Sequence, residues 1–103
     1  MAKVKWTPKA KKHLRSIFDY IAKDSETYAG RFIERLVMYA ENLSEFPEMG
    51  REVPELKGYN LRELIFQNYR IVYRYLRKKQ EVNILSVVHC AREMSNLPRS
   101  EWK

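Results

Sequence analysis

Residues 46–92 contain the pattern that says most about how this chain folds. They include Phe46-Pro47-Glu48-Met49-Gly50-Arg51-Glu52-Val53-Pro54-Glu55, then Leu61-Arg62-Glu63-Leu64-Ile65, then Tyr69-Arg70-Ile71-Val72-Tyr73-Arg74, and finally His89-Cys90-Ala91-Arg92. Two prolines and a glycine in the first run are typical of a turn-rich connector. The later runs are rich in β-branched and aromatic residues, which predicts short β-strands that carry recurrent arginines.

The β-like runs predict a hairpin of residues 61–66 and 69–76, joined by a tight turn at Gln67-Asn68. With a two-residue turn, residue 66 pairs with 69 and residue 65 with 70, and side chains alternate between the two faces. One face then receives Leu64, Phe66, Tyr69, Ile71 and Tyr73, and the other receives Glu63, Ile65, Arg70, Val72 and Arg74. The apolar face suits packing against helices, so we expect Arg70 and Arg74 on the open face of the sheet.

The N-terminal half predicts one strand and two helices. Residues 4–7 indicate a short strand, and Thr7-Pro8 is typical of a helix N-cap followed by proline at the first helical position. Apolar residues then recur every three or four positions, and Asp24-Ser25 interrupts this pattern before it continues to about residue 45. A break this short indicates an antiparallel helical hairpin.

A final apolar run, residues 82–91, predicts the last strand. Strict alternation would place Leu85, Val87 and His89 on one face and Ile84, Val88 and Cys90 on the other, without showing which face meets the helices. The predicted fold class is therefore α+β. It comprises an N-terminal strand and an antiparallel helical hairpin packed on one face of an antiparallel sheet with three C-terminal strands.

Length and composition limit the class of protein. At 103 residues the chain can bury one core, so we expect a single domain over residues 1–103. No apolar run approaches a membrane span, and the N-terminus lacks the apolar segment of a secretory signal, so we expect a cytoplasmic protein with no membrane partner. The single cysteine, Cys90, provides neither a disulfide nor a multi-cysteine metal site, and we expect no metal and no cofactor.

The net charge of +7 favours an anionic partner. Six basic residues precede the first acidic residue, Asp19, and residues 62–79 contain six basic residues against the lone Glu63. Clusters of this kind promote binding to nucleic acid or to an acidic protein. The alternative is a solvated basic face that only keeps the protein in solution.

Arg70 and Arg92 are the strongest candidates for a functional site. A guanidinium group keeps its charge and can form two parallel hydrogen bonds to phosphate or carboxylate, so such a site could hold RNA or an acidic protein segment. The structural alternative is a cross-strand ion pair between Arg70 and Glu63. If Arg70 is exposed, its replacement by alanine should leave the melting temperature almost unchanged. His89 could act as a general acid or base, although a histidine on an apolar strand is more often a packed residue.

The ordered set of motifs resembles the RelE/ParE superfamily of bacterial toxins. The resemblance covers residues 3–93 and rests on Trp6-Thr7, Asp24-Ser25, Phe46-Pro47 with Gly50-Arg51, Arg62-Glu63, residues 69–73, and His89 with Arg92. It implies the toxin of a type II toxin–antitoxin or plasmid-stabilisation module, neutralised by a cognate acidic antitoxin. A homodimer or a heterotetramer with the antitoxin is the assembly that the resemblance suggests.

The two branches of this superfamily imply different targets. RelE-type members cleave mRNA on the ribosome, and their pattern implies catalytic roles for Arg70 and Arg92, while a related branch uses a histidine that His89 matches. The pattern also has two lysines and a tyrosine, where this chain offers only Arg62 and, near the tyrosine position, Pro98. ParE-type members inhibit DNA gyrase without known hydrolytic chemistry, and the run from Gly50-Arg51 to Val53-Pro54-Glu55 favours that branch. On this interpretation the target-binding residues are Arg51, Arg62, Arg70, Arg74 and Arg92.

Overall fold

The computed structural model describes residues 1–91, which form two helices and a five-stranded sheet. The elements are, in chain order, β1 (Lys3–Trp6), α1 (Pro8–Ala22), α2 (Glu26–Ala40), β2 (Arg51–Glu52), β3 (Arg62–Phe66), β4 (Tyr69–Leu76) and β5 (Glu81–His89). Short 3-10 turns cover Glu41–Ser44, Pro54–Leu56 and Arg77–Lys79. The strand order is β1-β5-β4-β3-β2, and both helices pack on one face of the sheet, which confirms the predicted α+β fold.

The two helices begin at the predicted capping residues. The Ala10 N–H donates to Thr7 Oγ1 at 3.2 Å, and the Tyr28 N–H donates to Ser25 Oγ at 3.1 Å. Thr7 also donates its hydroxyl to the Ile84 carbonyl at 2.9 Å. One side chain therefore caps α1 and ties the start of that helix to β5.

The sheet is mixed, whereas the sequence predicted an antiparallel one. Strands β2 to β5 are antiparallel neighbours, but β1 runs parallel to β5. A four-residue strand has the same alternation in either direction, so its sequence carries no signal for this choice. The additional strand β2 lies in the predicted connector. It was not predicted, because two residues are too few to produce a strand pattern. Helix α2 ends at Ala40, and the apolar period that suggested helix to about residue 45 continues through the 3-10 turn Glu41–Ser44.

The β3–β4 hairpin has the predicted register. Phe66 pairs with Tyr69 and Ile65 with Arg70, and Gln67 adopts a φ of 53° in the two-residue turn between them. The face predicted to meet the helices does so. Its side chains join a core that includes Ile17, Phe32, Leu36, Leu64, Ile71 and Tyr73, with Phe66 and Tyr69 packed at its margin.

A bulge in β5 alters the faces predicted for that strand. Val72 pairs with Ser86 while Tyr73 pairs with Ile84, so Leu85 is an extra residue without a partner in the register. As a result Ile84 and Val87 both lie in the core under the helices. Strict alternation had separated these two residues, and that prediction is wrong because the inserted residue shifts the alternation by one position.

The face of the sheet away from the helices is covered. The connector folds across it and contributes to a second buried cluster made of Val53, Leu56, Leu61, Val72 and Val88. Arg70 is consequently buried, and Arg74 is only partly exposed. The expectation that Arg70 would stand on an open face is therefore wrong, because alternation assigns a face without showing what packs on it.

Candidate functional site

Arg70 lies at the centre of a network of four charged side chains. Its Nε donates to Glu63 Oε1 at 2.6 Å, and its Nη1 and Nη2 donate to the two carboxylate oxygens of Glu55 at 2.7 Å each. Glu63 uses its other oxygen, Oε2, to accept from Arg51 Nε at 2.7 Å. Within residues 1–91, these contacts place two arginines against two glutamates.

Burial distinguishes the two arginines of this network. The Glu63 side chain has no exposed surface and the Arg70 side chain is 6% exposed, whereas the Arg51 side chain is 62% exposed. Hydrogen bonds, first of all those with Glu55, raise the pKa of Arg70 against the opposing effect of burial. Arg70 is therefore a permanent buried cation, and such a charge is stable only when carboxylates stay beside it. The ion pair between Arg70 and Glu63, one of the alternatives left by the sequence, is present.

Arg62 lies on the opposite face of the sheet from Arg70. It shares the alternation of Leu64, which is in the core under the helices. Its Nη1 donates to the Gly50 carbonyl at 2.7 Å and to the Glu48 carbonyl at 3.2 Å. The sequence suggested that these two arginines could act at one site, but the sheet separates them.

The glycine of the Gly50-Arg51 motif has a steric role. The Gly50 N–H donates to the hydroxyl of the buried Tyr73 at 2.9 Å, and burial raises the pKa of that tyrosine. A Cβ at position 50 would lie 2.6 Å from the Tyr73 hydroxyl and 2.7 Å from the Glu63 backbone carbonyl. Any larger residue would collide with both, so glycine lets β2 approach β3 and brings Arg51 beside Glu63.

His89 belongs to a separate, aromatic site at the end of β5. It is exposed and pairs in register with Tyr69, and the two ring centroids are 5.4 Å apart. The Ala91 N–H donates to His89 Nδ1 at 3.1 Å. Burial, together with Tyr20, raises the pKa of Tyr69. A cavity of about 560 Å³ adjoins these rings, and the described residues that line it include no arginine or lysine.

The sequence also predicted Arg74 and Arg92 as site residues. Arg74 Nη2 donates to the Tyr59 carbonyl at 3.0 Å, on the covered face of the sheet. Arg92, and the position near Pro98 where a catalytic tyrosine would fall, lie outside the described residues. Sequence reasoning missed Glu55 as a partner of Arg70, since a contact between residues 15 positions apart has no local signal.

Residues 1–91 contain no group of three or more His, Cys, Asp and Glu side chains arranged to hold a metal ion. In the same range, neither helix combines the length and the apolar character that crossing a bilayer requires.

Two solved structures resemble this fold over almost its whole length. The chromosomal ParDE toxin–antitoxin system of P. aeruginosa includes a chain that matches with a TM-score of 0.70 at 24% identity, covering 86% of this chain and 96% of that one. The toxin–antitoxin complex RelBE2 of Mycobacterium tuberculosis includes a chain with a TM-score of 0.66 at 22% identity, covering 85% of this chain and 96% of that one. Both comparisons confirm the RelE/ParE-like fold that the motifs suggested.

The sequence itself identifies the family. Toxin RelE2 of Caulobacter vibrioides is 38% identical over 92 residues, covering 89% of this chain and 99% of that protein. The family described as ParE toxin of the type II toxin–antitoxin system parDE matches residues 4–94. Since that match spans nearly all of the strands and helices described above, the chain belongs to the ParE toxin family and is a toxin of the type II toxin–antitoxin class.

Proposed function

We propose that this toxin inhibits DNA gyrase by binding it and does not cleave RNA. The observation that supports this proposal is the paired state of Arg70, since each of its three side-chain nitrogens donates to a carboxylate of Glu63 or Glu55. A metal-independent ribonuclease needs free cations beside the scissile phosphate and a base within hydrogen-bond reach. An arginine held by two carboxylates brings no net positive charge to a phosphate.

Two other groups that a ribonuclease could use, His89 and Arg62, lie on different strands of the sheet. His89 pairs with Tyr69, whereas Arg62 pairs with Tyr73 on the same strand. Four residues of β-strand span about 13 Å, and Arg62 Nη1 is bound to the Gly50 and Glu48 carbonyls, which favours separate roles for His89 and Arg62. Binding to a protein target requires no such convergence, because it depends on a shaped surface with complementary charge.

The arginines keep separate roles in this proposal. Arg51 and Arg62 are candidate target contacts at the edge of the sheet, and Arg74 and Arg92 complete the set expected from the sequence. Arg70 supports Arg51 indirectly, because both bind the carboxylate of Glu63. The toxin would act in the cytoplasm, where gyrase is found, and we propose no cofactor or metal for this action.

We further propose that an acidic antitoxin neutralises the toxin. The ParDE and RelBE2 systems that share this fold are toxin–antitoxin complexes. The net charge of +7 suits an acidic partner, and a segment that folds on binding can offset its ordering entropy by burying apolar surface. A homodimer or a heterotetramer with the antitoxin is the assembly that we expect.

The target can be tested by expressing the toxin without its antitoxin and by adding the purified toxin to gyrase. We expect growth arrest with DNA breaks, and loss of supercoiling activity in the purified reaction. His89→Gln should behave as the wild type in both assays, because inhibition by binding needs no proton transfer. Ribosome-dependent cleavage of mRNA by the wild type, lost in His89→Gln while supercoiling is unaffected, would refute the gyrase proposal.

A second candidate function is that of a ribosome-dependent mRNA endoribonuclease. The observation in its favour is the exposed imidazole of His89 beside the cavity that Tyr20 and Tyr69 also line. A base could stack on such rings, and His89 could then act as a general acid or base with Arg92 as the cation. On this reading His89→Gln should slow cleavage by about 10²–10⁴-fold, the usual contribution of a positioned acid or base.

A further inference from the structure

A basic pocket lies at the end of the β4–β5 hairpin, on the other side of the sheet from Arg70. Its volume is about 470 Å³, and the residues that matter for its charge and shape are Glu48, Arg62, Tyr75, Arg77, Lys78 and Lys79. Four cationic side chains therefore surround one carboxylate. The excess of positive charge indicates an anionic ligand.

Glu48 occupies a place in the basic pocket that an external carboxylate could take. Its Oε2 accepts from Arg77 Nη2 at 3.0 Å and from Arg62 Nη2 at 3.4 Å. The Glu48 and Arg77 side chains are 49% and 71% exposed, unlike the buried partners in the Arg70 network. Exposed ion pairs contribute little to stability, so another carboxylate can replace Glu48 without loss of the fold.

Arg62 is already positioned for such a ligand. Its Nη1 is fixed by the Gly50 carbonyl at 2.7 Å, and Gly50 is itself held by the Tyr73 hydroxyl at 2.9 Å. The guanidinium group is therefore oriented before any ligand arrives. Such pre-organisation reduces the entropy that binding would otherwise cost.

An apolar loop, residues 46–49, borders the basic pocket and shares Glu48 with it. Phe46 and Met49 are exposed, and this loop lines an apolar recess of about 470 Å³. A nucleic-acid backbone would use the cations without needing the apolar surface. A peptide that carries both a carboxylate and an apolar side chain matches both parts of the site.

We propose that the basic pocket and the apolar loop together bind an acidic peptide segment. Its carboxylate would replace that of Glu48 beside Arg62 and Arg77, and its apolar side chain would contact Phe46 and Met49. The inference rests on the proposed function in one respect, which is that the antitoxin is the acidic chain that supplies the segment.

The test measures binding of a fluorescently labelled synthetic peptide, in which glutamates flank one leucine, to the full-length toxin. Glu48→Gln removes the internal competitor and should tighten binding about 2–5-fold, while Arg77→Gln should weaken it about 2–5-fold, the range for single exposed charge pairs. Arg15→Gln is the matched control: Arg15 is an exposed arginine of α1 paired with Asp19, and its loss should leave the affinity near that of the wild type. The same peptide with glutamines in place of the glutamates should bind weakly to every variant.

Opposite changes in Glu48→Gln and Arg77→Gln are the signature that supports the proposal. Equal peptide affinities in the two variants and the wild type would overturn it. So would a single-stranded oligonucleotide that shows these opposite changes while the peptide does not, since the pocket would then take nucleic acid. Failure of the proposed function is separate: a chain that neither arrests growth nor inhibits gyrase would refute that function and leave the peptide result standing.

Discussion

Replacing Arg70 and Arg51 one at a time by glutamine compares two partners of one buried carboxylate. Glu63 accepts from Arg70 at 2.6 Å and from Arg51 at 2.7 Å, so the two hydrogen bonds have nearly equal lengths. The arginines differ in burial, since the Arg70 side chain is 6% exposed and the Arg51 side chain is 62% exposed. Arg70→Gln also removes the bidentate partner of Glu55.

The expected costs differ severalfold. Removing one partner of a buried ion pair costs about 3–5 kcal/mol, and in Arg70→Gln the buried Glu63 keeps only the exposed Arg51 while Glu55 loses both of its hydrogen bonds to Arg70. Arg51→Gln should cost about 0–1 kcal/mol, as an exposed pair does, since Glu63 keeps its bond to Arg70. In a domain of this size 1 kcal/mol corresponds to about 4–8 °C, so Arg70→Gln should lower the melting temperature by at least about 12 °C.

The comparison is measured by urea and thermal unfolding, followed by circular dichroism, on toxin purified under denaturing conditions and refolded. The structure thereby reverses the expectation drawn from the sequence, that replacing Arg70 would barely change stability. A loss of toxicity in Arg70→Gln would accordingly reflect unfolding rather than a missing phosphate ligand. If Arg70→Gln unfolds within about 1 kcal/mol of Arg51→Gln, the buried pair between Arg70 and Glu63 does not stabilise the fold.

Individual contacts give three more testable expectations. Gly50→Ala should lower the unfolding free energy by about 1–3 kcal/mol, because the added Cβ overpacks the site. Gly30→Ala in α2 is the control: a Cβ there meets nothing within 4 Å, so this change should raise the unfolding free energy by about 0.5–1 kcal/mol. Equal effects of the two changes in urea unfolding would contradict the clash at Gly50. Tyr73→Phe should lower the unfolding free energy by about 1–3 kcal/mol in the same assay, because the Gly50 N–H loses its acceptor. An unchanged unfolding midpoint would show that another group replaces the hydroxyl. The hydrogen bond from Lys5 to Glu81, at 2.7 Å, lowers the pKa of Glu81 in the folded protein below its value in the unfolded chain. This pair therefore stabilises the fold above about pH 4.3, and the stabilisation is lost as the pH falls through the pKa of Glu81 in the folded protein. Lys5→Gln should therefore melt below the wild type at neutral pH and alongside it in acid, and a difference that persists in acid would contradict this assignment.

The parts of the fold that were predicted correctly are those with local chemical causes. Thr7 and Ser25 cap the helices because their side-chain oxygens accept N–H groups three residues ahead. Gln67-Asn68 sets the register of the β3–β4 hairpin because a two-residue turn allows one pairing only. In each case neighbours in sequence are also neighbours in space.

The parts that were missed depend on distant residues. The extra residue Leu85 in β5 shows no departure from an apolar strand pattern, yet it changes the face of every residue that follows it. The sequence offered Glu63 as a partner of Arg70 because the hairpin register brings them near each other. The sequence did not indicate Glu55, which lies in a 3-10 turn of the connector. The candidate site was therefore predicted with its arginines but without the second carboxylate that binds the buried Arg70.

Basic residues that are close together in the sequence lie on different faces of the folded sheet, and this limits how the toxin can act. Residues 62–79 form one basic cluster in the chain, but Arg70 is neutralised on the covered face while Arg62 shares the basic pocket with Arg77. Within this cluster, the positive charge available to a partner therefore lies mainly at the end of the β4–β5 hairpin. A mechanism that uses Arg70 as a phosphate ligand would first have to displace Glu55, which holds the guanidinium group through two hydrogen bonds of 2.7 Å. A mechanism that uses the hairpin end needs no such step, which is the physical reason to look for the partner there.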